Sequence, residues 1–200
     1  MSVDASGTYG KALVFSKWKG RNYVRERVTP TNPKAPKQCG VRSMMGFLAN
    51  QWYGLSVPNK ATWDDAALAR QISSFNQYAS HNLDRWQTFA APTKAFPAAE
   101  ASTGLTVTTQ TLTGDIGFAT IQITPSGATS IWGLLIFRDD AAITAPSWAN
   151  CIAVIEADGA NPVTYVDSPL EAGTWHYRTA VFNVDGILGA VKADGSCVVT

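Results

Sequence analysis

The segment Leu170 to Gly186, Leu-Glu-Ala-Gly-Thr-Trp-His-Tyr-Arg-Thr-Ala-Val-Phe-Asn-Val-Asp-Gly, alternates apolar and polar positions and is framed by turn residues. A period of two marks a strand with one buried face. From Leu105 onward that period recurs. Strands are predicted over 105–112, 118–123, 131–137, 152–155, 163–166, 175–184 and 190–199. Turn sequences separate them: Thr113-Gly114-Asp115, Pro125-Ser126-Gly127, Asp158-Gly159 and Val184-Asp185-Gly186. Seven strands in roughly 95 residues is the count expected of an immunoglobulin-like sandwich. In the strand starting at Trp175, the alternation turns Trp175, Tyr177, Thr179 and Val181 toward the core. It turns His176, Arg178, Ala180 and Phe182 outward.

The first half of the chain has other periods. Residues 12–28 read as a hairpin turning near Lys19-Gly20-Arg21-Asn22. Phe15, Lys17, Tyr23 and Arg25 are assigned to one face, and Val14, Trp18, Val24 and Val28 to the other. A lone hairpin is marginal in water, so this one is expected to lean on a neighbour. Thr29 to Pro36, with Pro30, Pro33 and Pro36, reads as an extended connector. Three helices follow. Val41, Met45, Leu48, Trp52 and Leu55 form one helical face, stopped by the turn Leu55-Ser56-Val57-Pro58. The second helix is predicted from Asn59 to Gln71 with Trp63, Ala67 and Leu68 inward. The third is capped by Ser73 or Ser74, with Phe75, Tyr78, Ala79, Leu83 and Trp86 as its stripe. Helical spacing accounts for these aromatics as a small core. Ala90 to Thr103, rich in alanine with Pro92 and Pro97, has the composition of a semi-stiff spacer. The expected class is therefore an α+β two-domain chain. A basic hairpin and three-helix unit spans 1–90, a linker spans 91–103, and a seven-stranded sandwich spans 104–200.

Charge sharpens this division. The net charge of +1 over 200 residues hides a split. Residues 1–100 carry 13 Lys and Arg against 6 Asp and Glu; residues 101–200 carry 3 against 9. Nine bases are already present by Arg42, against Asp4 and Glu26 alone. Such asymmetry suggests association through opposite-charge halves, or one end docked on an acidic surface; two ordinary domains that differ by chance give the same numbers. Cys39, Cys151 and Cys197 lack regular spacing, which favours buried free thiols and leaves a Cys151–Cys197 bridge open. The N-terminus lacks the features of a signal peptide, and no apolar run reaches membrane-spanning length. Synthesis in a cytoplasm, with no membrane partner, is expected.

The residues also carry two resemblances. Over 104–200 the chain resembles a fibronectin type III domain. Trp132, followed by Phe137-Arg138, looks like that superfamily's core aromatic. Tyr165-Val166-Asp167, Leu170, Gly173-Thr174, Trp175-His176-Tyr177-Arg178 and Asn183 to Gly186 look like its later strands and turns. The tyrosine usual near Trp175 is displaced, and no Arg-Gly-Asp tripeptide is present. The resemblance implies a fold and no function. Residues 10–90 resemble phage and prophage structural proteins. The carriers are Ser16 to Arg25, Pro30 to Lys34, Gln38, Arg42, Trp52, Leu55-Ser56, Trp63 and Ser74-Phe75-Asn76. That likeness implies a place in a virion and transfers no active-site residue.

Catalytic patterns are sparse. His81 and His176 lack neighbours at metal-ligand spacing, and Asp84 is too local to His81 for a triad. The adjacent pairs Asp64-Asp65 and Asp139-Asp140 point their side chains apart, which does not suit acid–base work. No phosphate loop is present, so no enzyme and no cofactor is expected. The basic segment is the functional candidate: Lys17, Trp18, Lys19, Arg21, Tyr23, Arg25, Arg27, Lys34, Lys37 and Arg42. Bases interleaved with aromatics suit a protein interface, phosphate and base contacts, or a plain solvated surface. The expected function is a non-enzymatic phage virion protein, with capsid decoration or cementing as the specific expectation. Its expected partners are other virion proteins of shell or tail. A nucleic-acid-binding accessory protein is the first alternative. A tail-associated host-surface or glycan-binding module using loops such as 139–148 is the second.

Overall fold

The computed structural model describes residues 6–10, 12–28, 35–100, 105–126, 131–157 and 161–200. Among them the chain is α+β, with ten strands, all paired antiparallel, and three helices. It divides into two compact units, Met1–Lys34 and Ala35–Thr200.

The first unit is a three-stranded sheet in the order β1-β2-β3, with β1 at Gly7–Tyr9, β2 at Leu13–Trp18 and β3 at Arg21–Glu26. Strand β1 is additional to the expected hairpin. Trp18 pairs with Arg21, so the turn is the two residues Lys19 and Gly20, both at positive φ (46° and 80°). Two left-handed residues make the tight hairpin turn whose twist matches the strands. The pairing register corrects the expected faces. Cross-strand partners Phe15 and Val24, and Lys17 and Asn22, share one face. Val14 and Arg25, Ser16 and Tyr23, and Trp18 and Arg21 share the other. The expected faces set Tyr23 and Arg25 with Phe15 and Lys17; the observed register is one residue out of step with that assignment, which flips every side chain of β3.

The second unit begins with helices α1 (Pro36–Gly54), α2 (Val57–Arg70) and α3 (Ser74–Gln87). Pro36 opens α1, where its missing N–H costs nothing, instead of ending the connector. Ser56 and Ser73 cap α2 and α3, accepting from the amides of Asn59 and Asn76. Seven strands follow: β4 (Thr106–Asp115), β5 (Phe118–Ser126), β6 (Ile131–Asp139), β7 (Cys151–Glu156), β8 (Val163–Asp167), β9 (Gly173–Asn183) and β10 (Gly195–Val199). They form one sheet ordered β10-β9-β6-β7 and another ordered β4-β5-β8.

Two buried clusters lie on opposite faces of the four-stranded sheet. One joins the sheets through Ile121, Ile123, Leu134, Ile136, Tyr177 and Val181. The other joins that sheet to the helices through Met44, Phe47, Leu48, Trp86, Trp132, Leu135, Phe137 and Phe182. Several expectations change for this one reason. Ala180 and Phe182, expected to face solvent, are fully buried under the helices. Trp132 is buried, at 3% exposure, but on the helix side instead of between the sheets. Its Nε1 donates to Gln51 Oε1 of α1 at 2.6 Å. Leu68, expected inward, is 78% exposed, while Trp63 and Ala67 are buried.

The expected boundary at 91–103 gives way to one between Lys34 and Ala35. Buried Asn82 clasps Thr93 through both halves of its amide, donating to the carbonyl at 3.1 Å and accepting from the amide at 2.7 Å. Lys94 N donates to Val184 O at 3.0 Å, and Glu100 N to Asp185 O at 3.0 Å. A segment stitched on both sides cannot act as a spacer. The connector prolines Pro30 and Pro33, linker residues 101–103 and the turn residues 127, 158 and 159 lie outside the described residues.

Close approach fixes α1 on β7. A Cβ on Gly40 would stand 2.3 Å from the Cys151 carbonyl oxygen, so only glycine fits. Ser43 Oγ accepts from Val154 N at 2.7 Å and donates to Val154 O at 3.1 Å, which satisfies the backbone of an edge strand. None of the three cysteines is in a disulfide; Cys151 and Cys197 are unbridged and buried. Burial raises the Cys151 thiol to about 12 and pushes Cys197 upward as well, aided by the charge of Asp167.

Candidate protein interface

The short turn and the alternation of β2 and β3 assemble one face of the first unit from Trp18, Arg21, Tyr23 and Arg25, with Val14 and Ser16 behind them. Trp18 is 66% exposed, and every residue of β3 is exposed. Lys19 Nζ lies 4.8 Å from the centre of the Trp18 ring, a cation–π distance. Trp18, Arg21, Asn22 and Tyr23 line an open concavity. The opposite face presents Tyr9, Leu13, Phe15 and Val24, with Lys17 and Glu26 on the same side. Tyr9 at 75% and Val24 at 53% exposure leave this face largely uncovered. Tyr9 had no part in the sequence expectation, because three residues of β1 are too few to show a period.

The structure divides the ten expected site residues. Trp18, Arg21, Tyr23 and Arg25 come together on one face. Lys17 stands on the other, Lys19 in the turn, and Arg27 just beyond β3, where its amide donates to Ala12 O at 2.7 Å. Lys37 and Arg42 belong to the second unit, on the first turns of α1, where they line a shallow surface depression with Gln38 and Val41. Lys37 Nζ lies 4.3 Å from the Trp148 ring. Lys34 lies outside the described residues.

Elsewhere the polar groups are absorbed by the fold. Arg138 Nη1 donates to both carboxylate oxygens of Asp167, each at 2.9 Å, and Tyr177 Oη donates to Asp167 Oδ2 at 2.9 Å. The guanidinium stands 5.0 Å from the Trp175 ring. This buried group links β6, β8 and β9 across the two sheets. Burial, then the Asp167 charge, raises the Tyr177 phenol far above its ordinary value. The sequence held one signal of it: Asp167 closes the strand Val163–Asp167 at a buried position. His176 Nδ1 is 2.7 Å from Asp194 Oδ2. His81 lies 5.1 Å from the Phe96 ring and 5.5 Å from Trp63. Burial and then Arg85 lower its pKa, with Asp84 opposing. The Asp139 carboxyl is raised by burial but held below its usual value by hydrogen bonds from Asn150, Asp140 and Ala141. Trp148, in the loop after it, packs on Trp86 with ring centres 5.9 Å apart. Among the described residues no group of three or more His, Cys, Asp or Glu side chains could hold a metal ion, and no helix is long and apolar enough to cross a membrane.

No protein-family model matches the chain, and no curated protein matches it. Solved structures give partial likenesses. A family 76 glycoside hydrolase from a bovine Bacteroides thetaiotaomicron strain aligns over 46% of this chain and 20% of its own, at 9% identity and TM-score 0.37. An engineered protein aligns over 51% of this chain and 21% of its own, at 12% identity and TM-score 0.32. HiLPMO9B aligns over 44% and 51%, at 8% identity and TM-score 0.27. The alignments therefore span between a fifth and a half of those proteins' lengths, and likenesses this slight bear on no activity.

Proposed function

We propose that this chain is a non-enzymatic structural protein of a phage particle, most specifically a capsid decoration or cement protein. The N-terminal sheet would be its attachment element, and the helix-covered body its bulk. One observation carries the reading. The body closes its apolar faces on itself, whereas the small sheet leaves Trp18, Tyr23, Arg21 and Arg25 exposed on a single face. Aromatics and arginines are the residue types that anchor protein interfaces. A three-stranded sheet in which no described side chain is fully buried gains little stability by itself, so a partner surface supplies cover. The virion setting rests on the likeness of residues 10–90 to phage structural proteins. We further assign the strand orders β4-β5-β8 and β10-β9-β6-β7 to a fibronectin type III-like sandwich, one unusual in carrying a helical layer on its larger sheet.

The test is binding to empty shells. The purified chain should bind them, and Arg21→Glu with Arg25→Glu should abolish binding. A protein that fails to bind, from a phage whose particles keep normal composition and stability without it, would refute the reading. A second reading, single-stranded nucleic-acid binding, is favoured by the aromatic and arginine concavity, since bases stack on such surfaces. It requires affinity that falls steeply with salt, by about 0.7 log units per log salt for each phosphate neutralised.

A further inference from the structure

The two units treat their sheet edges in opposite ways. In the body, β7 is covered by α1, with Ser43 bonded to both backbone groups of Val154. Strand β4 carries a register shift between Val107 and Thr109, and Lys192 Nζ donates to Thr108 O at 2.7 Å. Strand β8 has five residues with Pro162 before it and Pro169 after it, and β10 has only five. Helical cover, bulges, lysines, prolines and short strands are the devices by which proteins prevent stray strand pairing. Strand β3 has only one such device, its charge. It is an edge strand of six residues, all exposed.

Its backbone is placed for pairing. Arg27 N donates to Ala12 O, and in an antiparallel ladder bonded pairs recur every second residue. Arg25, Tyr23 and Arg21 therefore bond inward to β2, while Val24 and Glu26 turn their N–H and C=O groups outward. Pairing with a second copy is disfavoured. An antiparallel twofold pair must match residues on the same face, and the central registers set Arg21 against Arg25 or against Arg27 of the other copy. Like charges directly opposite one another are destabilising in a sheet. The same arginines attract a strand of opposite charge.

We propose that β3 is an acceptor edge for an extended acidic segment of a partner protein, which adds as a fourth strand with carboxylates at alternate positions over Arg21 and Arg25. This deepens the attachment reading above and rests on it. Main-chain bonds at Val24 and Glu26 would supply geometry, and the arginine face would select the partner.

The probe is the peptide Thr-Glu-Val-Glu-Val-Glu-Thr, titrated calorimetrically into the full chain at low salt. It should bind and slow hydrogen exchange at the Val24 and Glu26 amides. A scrambled peptide of the same composition, and one N-methylated at alternate amides, should each bind ~10-fold more weakly or less. Arg21→Glu with Arg25→Glu should reverse the preference toward Thr-Lys-Val-Lys-Val-Lys-Thr, a gain that a misfolded variant could not show. Val24→Pro, tolerated where an edge N–H faces outward, should lose both peptide and shell binding. Equal binding of the N-methylated peptide, no binding of the alternating one, or tighter binding of a single-stranded oligonucleotide would each overturn the proposal. If Val24→Pro keeps shell binding while the double arginine variant loses it, edge addition fails and attachment stands. If neither variant affects shells, both fail.

Discussion

The sheet of Gly7–Tyr9, Leu13–Trp18 and Arg21–Glu26 and the body of Ala35–Thr200 use the same kinds of residue for opposite ends. In the body, Trp132, Trp63 and Trp86 are buried, and the indole nitrogens of the first two reach Gln51 Oε1 and Lys94 O. In the sheet, Trp18 lies open beside Arg21 and Tyr23. Arg138, its side chain 13% exposed, is paired with buried Asp167, whereas every residue of β3, Arg21 and Arg25 included, is exposed. An aromatic or an arginine is thus a folding residue where the fold supplies its partner and a docking residue where it does not. What separates the two cases is closure: the body has a third layer to cover its sheet, and the small sheet has none within its own unit.

The sharpest way to break this comparison is to cut the body where the sequence composition suggests. A fragment of residues 104–200 should fail to fold, because it strips the cover from Trp132, Leu135, Phe137 and Phe182. A fragment beginning at residue 35 should keep the cooperative thermal transition of the full chain. A soluble, cooperatively folding 104–200 fragment, checked by circular dichroism and calorimetry, would restore the boundary at 91–103.

A smaller but still large effect is expected at the link between the sheets. Asp167→Ala leaves the largely buried guanidinium of Arg138 without its anion, which costs up to about 3 kcal/mol in urea denaturation. The double substitution Asp167→Ala with Arg138→Met should recover much of it, since an apolar pair has no stranded charge. Failure of the double variant to recover would mean that the link does more than satisfy itself.

His81 gives a pH dependence confined to the body. Its folded-state pKa is depressed below the ordinary 6.5, so the folded chain binds fewer protons than the unfolded chain just below that pH. The corresponding stability is complete above pH 6.5 and declines as the pH falls through it, levelling off below the depressed value. His81→Phe should remove this part of the slope in urea midpoints measured across the window. Smallest of all should be the effect of Arg21→Glu with Arg25→Glu on the melting of the body, within about 0.5 kcal/mol, because surface changes away from special features cost little. A substantial loss would show that these arginines serve folding and would close the gap between the two regions.

Local structure was largely legible. The stripe Phe75, Tyr78, Ala79, Leu83 and Trp86 marked α3, and the pair Ser73-Ser74 marked its start, with Ser73 the cap. The alternation from Leu105 marked seven strands, six of them to within three residues of their ends, while the seventh, expected from Ala190, begins only at Gly195. Both signals depend on neighbours in sequence. The candidate site was legible as a composition of bases and aromatics, but not as a surface. Which of them share a face turned on the pairing register of β2 and β3, which the two-residue turn at Lys19 and Gly20 sets.

The chain by itself determined the elements, their amphipathic character and the charge split between its halves, because these follow from spacing and composition. Only the tertiary structure decided what covers what. The run Ile-Trp-Gly-Leu-Leu-Ile-Phe at 131–137 is apolar on both sides, which is compatible with either of two neighbours on each face. Packing α1 through Gly40 and Ser43 onto β7 placed Trp132, Phe137, Ala180 and Phe182 beneath helices. Trp18, Arg21, Tyr23 and Arg25 belong to the other unit and are exposed. No local pattern records this difference, because burial depends on residues distant in sequence.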